Sequence, residues 1–231
     1  MVVIAEPELQ RASLSAALVT IFRGKFCDAL LQNRPFMTFA EGSTLYDAGD
    51  EGRSLFFLRR GVVKVGAVTD GGHEVIYDLR KDGDIAGELC LCDTPRPDRA
   101  VALESTDASA VAYAEVLDTL QQNREALHNV LEAVCRALSS AYDQVSLLSS
   151  GGTLDRLVKV LLRLVKRFGR PSGDLIEIGT YLTQEEIAQM MGSSREKVSV
   201  ALNRLRDRAM VQYSRGGHLR VDVIALESWH T

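Results

Sequence analysis

Residues 183–211 read TQEEIAQMMGSSREKVSVALNRLRDRAMV, and this stretch holds the side chains with the clearest chemistry. Arg195 and Glu196 are adjacent, Ser199 follows on the same helical face, and Lys197 and Arg204 flank them. At the start of a helix such a set can meet base edges in a DNA major groove. An arginine fork spans guanine O6 and N7, and a glutamate accepts from cytosine N4. Ser194, one residue ahead, is a capping residue for that helix. The plainer reading is a helical hairpin with a solvated basic face.

A second set lies in GELCLCDTPRPDRAV, residues 87–101. Glu88 and Arg99 stand on either side of a loop stiffened by Pro95 and Pro97, each of which removes an N–H donor. An arginine fork suits phosphate oxygens, and a turn of backbone N–H groups suits an anion. The pair reads either as a pocket for a phosphate-sugar ligand or as an internal Glu–Arg ion pair. Cysteines occur at 27, 90, 92 and 135, and only Cys90 and Cys92 are close. C-x-C without a second pair does not complete a tetrahedral metal site. In a strand the two would face opposite ways, as buried small hydrophobes or as a thiol redox sensor. No histidine lies near Glu88, Cys90 or Arg99, and no nucleophile elbow is present, so a hydrolytic or thiol enzyme is not expected.

The elements that must position these residues are legible by period. Thr183 and Glu186 form a capping box that opens a helix with inner face Ile187, Ala188 and Met191. Gly192 supplies the turn, and Val198, Ala201, Leu202 and Leu205 form the buried face of the second helix. Small Ala188, Gly192 and Val198 have the spacing of a helix-turn-helix. VQYSRGGHLRV, residues 211–221, is a hairpin with Gly216-Gly217 at its turn, a wing that lays Arg215 on phosphate.

Upstream, short β-type runs are cut by glycines: MTF 37–39, TLY 44–46, LFFLRR 55–60, VVKVGAV 62–68, VIYDL 75–79, VAL 101–103 and SAVAY 109–113. They favour a small barrel or jelly roll, and residues 8–34 before them look helical. Leu127, Leu131, Val134, Leu138, Ala141, Val145 and Leu148 then recur at alternating steps of four and three, a heptad seam on a helix from about Val116 to Ser149. The seam packs against a second copy in a parallel two-fold dimer, or along its own barrel. Ser149-Ser150-Gly151-Gly152 makes a hinge, and Thr153 caps an amphipathic helix carrying Leu157, Leu161, Leu164, Val165 and Phe168, which Gly169 and Pro171 stop.

The 231 residues carry a net charge of -4, unevenly spread. Residues 153–231 hold 13 Lys/Arg against 9 Asp/Glu, whereas residues 1–152 hold 14 against 22. A basic C-terminal part on an acidic protein expects one end to meet a polyanion. No apolar run has a membrane span's length, and the N-terminus lacks a basic n-region with a long apolar core, so a cytoplasmic protein away from membranes is expected.

Taken in order, these landmarks resemble the Crp/Fnr family of bacterial transcription regulators over nearly the whole chain. They are FAEGSTLYDAG (39–49), LFFLRRG (55–61), GEL (87–89) and IAQMMGSSREKVS (187–199). The resemblance implies an α+β fold: a β-roll or jelly-roll sensor domain at 1–115, a dimerisation helix at 116–149 and a winged helix-turn-helix at 150–231. It implies a homodimer through 127–148 on a palindromic double-stranded operator, with RNA polymerase as a further possible partner and no catalysis or metal. DNA contacts fall to Ser194, Arg195, Glu196, Lys197, Ser199, Arg204 and Arg215. Effector contacts fall to Gly87, Glu88, Leu89, Arg99, Ala100, Ala141 and Tyr142, with cAMP, cGMP or cyclic di-GMP as the effector. The effector would shift the long helices and rotate the winged domains about 149–152.

The chain departs from the family pattern at several points. One extra residue separates GEL from Arg99, and Ala100 follows where Ser or Thr is usual. Ala141 and Tyr142 stand where two hydroxyl residues face the base, and Val200 stands where the cyclic AMP-responsive members have a base-reading arginine. A different small effector, a redox signal and ligand-independent DNA binding therefore stay open beside a cyclic nucleotide. The iron–sulfur branch needs an N-terminal cysteine cluster, where only Cys27 stands. His73 alone is available to a haem in the sensor region.

Overall fold

A computed structural model describes residues 30–31, 33–91, 95–124, 151–213 and 217–230, with residues 127, 128, 135, 138, 141, 142, 144–146, 148 and 149 between. Eight antiparallel strands build the first unit: β1 (Met37–Phe39), β2 (Thr44–Tyr46), β3 (Ser54–Arg60), β4 (Val62–Val68), β5 (Glu74–Lys81), β6 (Ile85–Ala86), β7 (Arg99–Ala102) and β8 (Thr106–Ala112). They form two four-stranded sheets, ordered β1-β8-β3-β6 and β2-β7-β4-β5. The alternation of side chains along a strand explains β3. Leu55 and Phe57 pack with Ile85, Cys90, Val111 and Val116 on one face, while Phe56 and Leu58 join Tyr46, Val63, Val65 and Ala100 inside the roll. Two buried faces make β3 apolar throughout its middle.

Of the expected N-terminal helix at 8–34, only Leu30 and Leu31 fall among the described residues as helix. The single helix expected from Val116 to Ser149 is corrected. A helix α1 runs Tyr113–Gln121, starting directly after β8, and it breaks at Gln122 and Asn123. Asn123 donates its N–H to the Leu120 carbonyl at 3.1 Å, and its own carbonyl accepts from Leu127 at 3.0 Å. Asparagine disfavours helix interiors and favours helix starts, so one helix closes there and another opens. The described residues between 124 and 149 are helical. Leu127, Leu138, Val145 and Leu148 of the heptad seam are exposed in the single chain, while Leu131 and Val134 lie outside the described residues.

The C-terminal unit holds α2 (Thr153–Phe168), β9 (Gly169–Ser172), β10 (Leu175–Ile178), α3 (Gln184–Met191), α4 (Arg195–Asp207), β11 (Val211–Gln212), β12 (Arg220–Val221) and α5 (Val223–Glu227). Its sheet is ordered β11-β12-β10-β9. Gly169 and Pro171 do stop α2, but they turn directly into a hairpin rather than a loop. Leu157, Leu161 and Leu164 of α2 pack with Ile187, Met191, Val198, Leu202 and Leu205. Val62, Ile76 and Leu79 of the β-roll belong to that same cluster, so the two units share apolar contact. Among the described residues no helix is long and apolar enough to cross a membrane.

Candidate nucleic-acid interface and effector cassette

The C-terminal motif assembles from local hydrogen bonds. Thr183 Oγ1 accepts from the Glu186 N–H at 3.1 Å, and the Glu186 carboxylate accepts from the Thr183 N–H at 2.8 Å, a reciprocal capping box. Gly192 ends α3 in the left-handed conformation at φ 57°, which costs glycine nothing. The Ser193 N–H then closes on the Ala188 carbonyl at 3.0 Å. Ser194 caps α4 by accepting from the Lys197 N–H at 3.4 Å. Val198, Ala201, Leu202 and Leu205 are buried, which turns Arg195, Glu196 and Lys197 outward at the first turn and leaves Arg204 exposed further along. The Glu196 carboxyl is held below its ordinary range by a hydrogen bond from its own backbone N–H and one from Ser194, so it is an ionised acceptor at neutral pH. Ser199 is half-buried, and Val200 is exposed beside Arg204 in an apolar trough that reaches Gly152, Thr153 and Leu154. Strands β11 and β12 pair as the wing, and Arg215 lies outside the described residues.

The cassette is arranged differently from a simple Glu88–Arg99 pair. Gly87 bends the chain at φ 86°, and Glu88 opens a 3-10 turn, Glu88–Leu91. Glu88 Oε1 accepts from Arg80 Nη2 at 2.7 Å, and Arg80, only 3% exposed, also donates to Asp78 at 2.7 Å. Burial works against the Arg80 charge, but Glu88, Asp78 and Asp84 outweigh it and raise its pKa. Arg99 turns to β5 and the β2 end instead, with Nη1 3.6 Å from Glu74 and Nε 3.4 Å from Asp47. Glu88 and Arg99 are thus each paired, but to other partners. Leu89 is exposed at 38% and Ala100 is fully buried in the roll. Ala141 and Tyr142 are helical and exposed.

The arginine that does lie on the turn is Arg96. It is buried, donates to the Gly87 carbonyl at 3.2 Å and the Ser54 carbonyl at 2.5 Å, and stacks over Tyr46 at 4.1 Å. Beside it, Asp98 is 1% exposed and accepts from the Tyr46 hydroxyl at 2.9 Å. Asp98 Oδ1 and Glu88 Oε2 are buried with no hydrogen-bond partner among the described residues. Burial pushes the Asp98 carboxyl up, and burial followed by the Asp98 and Glu88 carboxylates pushes the Tyr46 hydroxyl far up. One oxygen of each carboxylate is thus left without a donor, and the adjacent Pro95 and Pro97 offer no N–H group. Sequence reasoning missed Arg96, Asp98, Tyr46 and Arg80. The one signal for Arg96 and Asp98 was position, since both lie within three residues of the start of β7.

Cys90 is buried in the cluster around Leu55 and Phe57, and burial raises its pKa, so it is a packed thiol. Cys92 and Cys27 lie outside the described residues. Among the described residues no cluster of His, Cys, Asp and Glu could hold a metal ion.

With that geometry in view, comparison with known proteins is decisive. Residues 36–123 match the cyclic nucleotide-binding domain family, and residues 155–229 match the Crp-like helix-turn-helix domain family. The chain is 30% identical over 175 residues to the CRP-like cAMP-activated global transcriptional regulator of Mycobacterium tuberculosis, covering 75% of this chain and 78% of that one. The chain belongs to the Crp/Fnr family of transcription regulators. It is 29% identical to the global nitrogen regulator of a Nostoc species, over 75% of this chain and 79% of that protein. Among solved structures it is similar to a CRP-family transcriptional regulator from Thermus thermophilus, with a TM-score of 0.69, 25% identity, and coverage of 83% and 95%. As a Crp/Fnr regulator the protein acts by binding DNA and is not an enzyme.

Proposed function

We propose that this regulator works as a homodimer on a two-fold symmetric operator, with α4 of each protomer entering successive major grooves. The observation that carries the reading is the outward display of Arg195, Glu196 and Lys197 at the capped start of α4. Arg195 and Glu196 in that position reach base edges, while Ser194, Lys197, Ser199, Arg204 and Arg215 supply hydroxyl and charge to the adjacent backbone. The exposed Leu127, Leu138, Val145 and Leu148 supply the dimer seam within 127–148. The sensing unit then ends with α1, the dimer seam lies beyond the break at Gln122 and Asn123, the winged helix-turn-helix takes 150–231, and the site of action is the cytoplasm.

Selection of bound sequences from random DNA, with sedimentation of the complex, tests this. A palindrome with half-sites about one helical turn apart and two protomers per site is expected. A bound monomer, or no enriched sequence, overturns it.

The β-roll is the sensing unit in this reading. Its relatives are cAMP-activated in one case and a nitrogen regulator in another. Because Glu88 is held by Arg80 and Asp98 is buried beside Arg96, the second reading is DNA binding that needs no cyclic nucleotide. Calorimetry with cAMP, cGMP and cyclic di-GMP, alongside operator binding by the ligand-free protein, separates the two. Tight nucleotide binding that raises operator affinity supports the sensor; full affinity without ligand and no heat supports the second.

A further inference from the structure

One apolar side chain on the outward face of α4 is not used in packing the core. Val200 is 54% exposed and stands apart from Val198, Ala201, Leu202 and Leu205, which the core takes from the same helix. Its neighbours along the helix surface are charged: Glu196 and Lys197 lie one turn before it and Arg204 one turn after. A β-branched residue forms helix less readily than the arginine, lysine or glutamine that would suit a solvated position. Ala201 and Leu154 line the same trough, so Val200 belongs to a continuous apolar surface. The α2 side of that trough is held in place, because Asp155 accepts from the Gly152 N–H at 3.1 Å and from Trp229 Nε1 at 3.0 Å. The trough adjoins the turn of α4 that displays Arg195 and Glu196.

We propose that Val200 is a specificity-determining residue that contacts the C5-methyl group of one thymine in each half-site. Valine offers neither donor nor acceptor, and the one apolar feature that unmodified base pairs present in the major groove is the thymine methyl. Cytosine in the same place would turn its N4 amino group onto an apolar side chain and lose a water partner. Thymine is therefore favoured over cytosine both by contact and by desolvation. One turn of α4 rises about 5.4 Å and stacked base pairs are about 3.4 Å apart, so this thymine lies one or two base pairs from the pair that Glu196 reads. Lys197 and Arg204 flank Val200 with positive charge suited to the neighbouring phosphates. The inference rests on α4 being the base-reading helix and adds to it the base that its second turn selects.

The test uses the full chain and the operator it selects from random DNA. Each thymine of one half-site is replaced in turn by deoxyuridine, which removes the methyl group and nothing else, and affinity is measured by titration. One thymine within two base pairs of the Glu196 contact should lose about 3- to 6-fold on this change, the worth of one buried methyl group. Cytosine there should bind more weakly than thymine, and 5-methylcytosine should regain about the same 3- to 6-fold. In Val200→Ser, which removes the apolar branches at an exposed position, the deoxyuridine penalty should disappear while discrimination at the Arg195 base pair persists. An enriched palindrome in which no thymine methyl matters overturns this inference alone, as does a methyl effect of equal size in Val200→Ser. No enriched sequence, or an Arg195→Ala loss equal on all sequences, overturns it together with the base-reading role of α4.

Discussion

Asp98→Asn is expected to stabilise the β-roll, and to do so more strongly as pH rises. Asp98 is 1% exposed; one oxygen accepts from Tyr46 at 2.9 Å and the other has no partner among the described residues. Burial raises its pKa, and the Tyr46 hydrogen bond and the Arg96 charge only partly offset that. An acid with a native pKa above its unfolded value binds more protons when folded, between those two values. Stability therefore falls as pH climbs through that interval and stays reduced above it. The amide keeps an acceptor for Tyr46 and removes the charge. A buried polar atom left unmet costs about 1–3 kcal/mol, which bounds the gain. For a protein of this size about 1 kcal/mol moves the midpoint by roughly 2–4 °C. Urea unfolding near pH 8 and near pH 4.5, followed by near-ultraviolet circular dichroism, checks it: the gain should be largest at the higher pH. A variant less stable than the parent at the higher pH would mean that Arg96 stabilises the carboxylate by more than burial costs. A gain independent of pH would refute the electrostatic origin.

Arg195→Ala should cost about 1–3 kcal/mol on the selected operator and relax specificity at one base pair per half-site; an equal loss on every sequence would refute base reading. Lys197→Ala should weaken all sequences alike and reduce the salt slope by about 1, as measured by binding titrations at several salt concentrations. Thr183→Ala removes the acceptor for the Glu186 N–H and should destabilise the winged-helix unit by about 0.5–2 kcal/mol in thermal unfolding, with Thr183→Ser restoring it. Val145→Asp, at an exposed seam position, should give a monomer by sedimentation and abolish operator binding without altering the fold of either unit; a dimer would place the interface elsewhere.

The features legible in the amino-acid sequence are those that depend on near neighbours along the chain. The Thr183–Glu186 box, the Gly192 turn and the Ser194 cap are hydrogen bonds spanning a few residues, so the residue types alone announce them. The strands at 37–39, 44–46 and 62–68 coincide with those expected, because alternation and glycine punctuation are also local. The break at Asn123 was hidden by a heptad pattern beginning only at Leu127, and the β9–β10 hairpin was hidden behind a glycine and a proline that also end a helix. The electrostatics of the cassette depended on tertiary structure entirely. Sequence put Glu88 and Arg99 in one loop, but a long side chain takes the nearest compensating charge in space, and burial penalises one that finds none. Arg80 comes to Glu88 from β5, Arg167 comes to Asp78 from eighty-nine residues away, and Arg96 lies on Tyr46 because the chain folds those rings beneath it. Local periodicity determined the helix-turn-helix and most of the roll; which charge answers which was decided only when distant strands and helices packed.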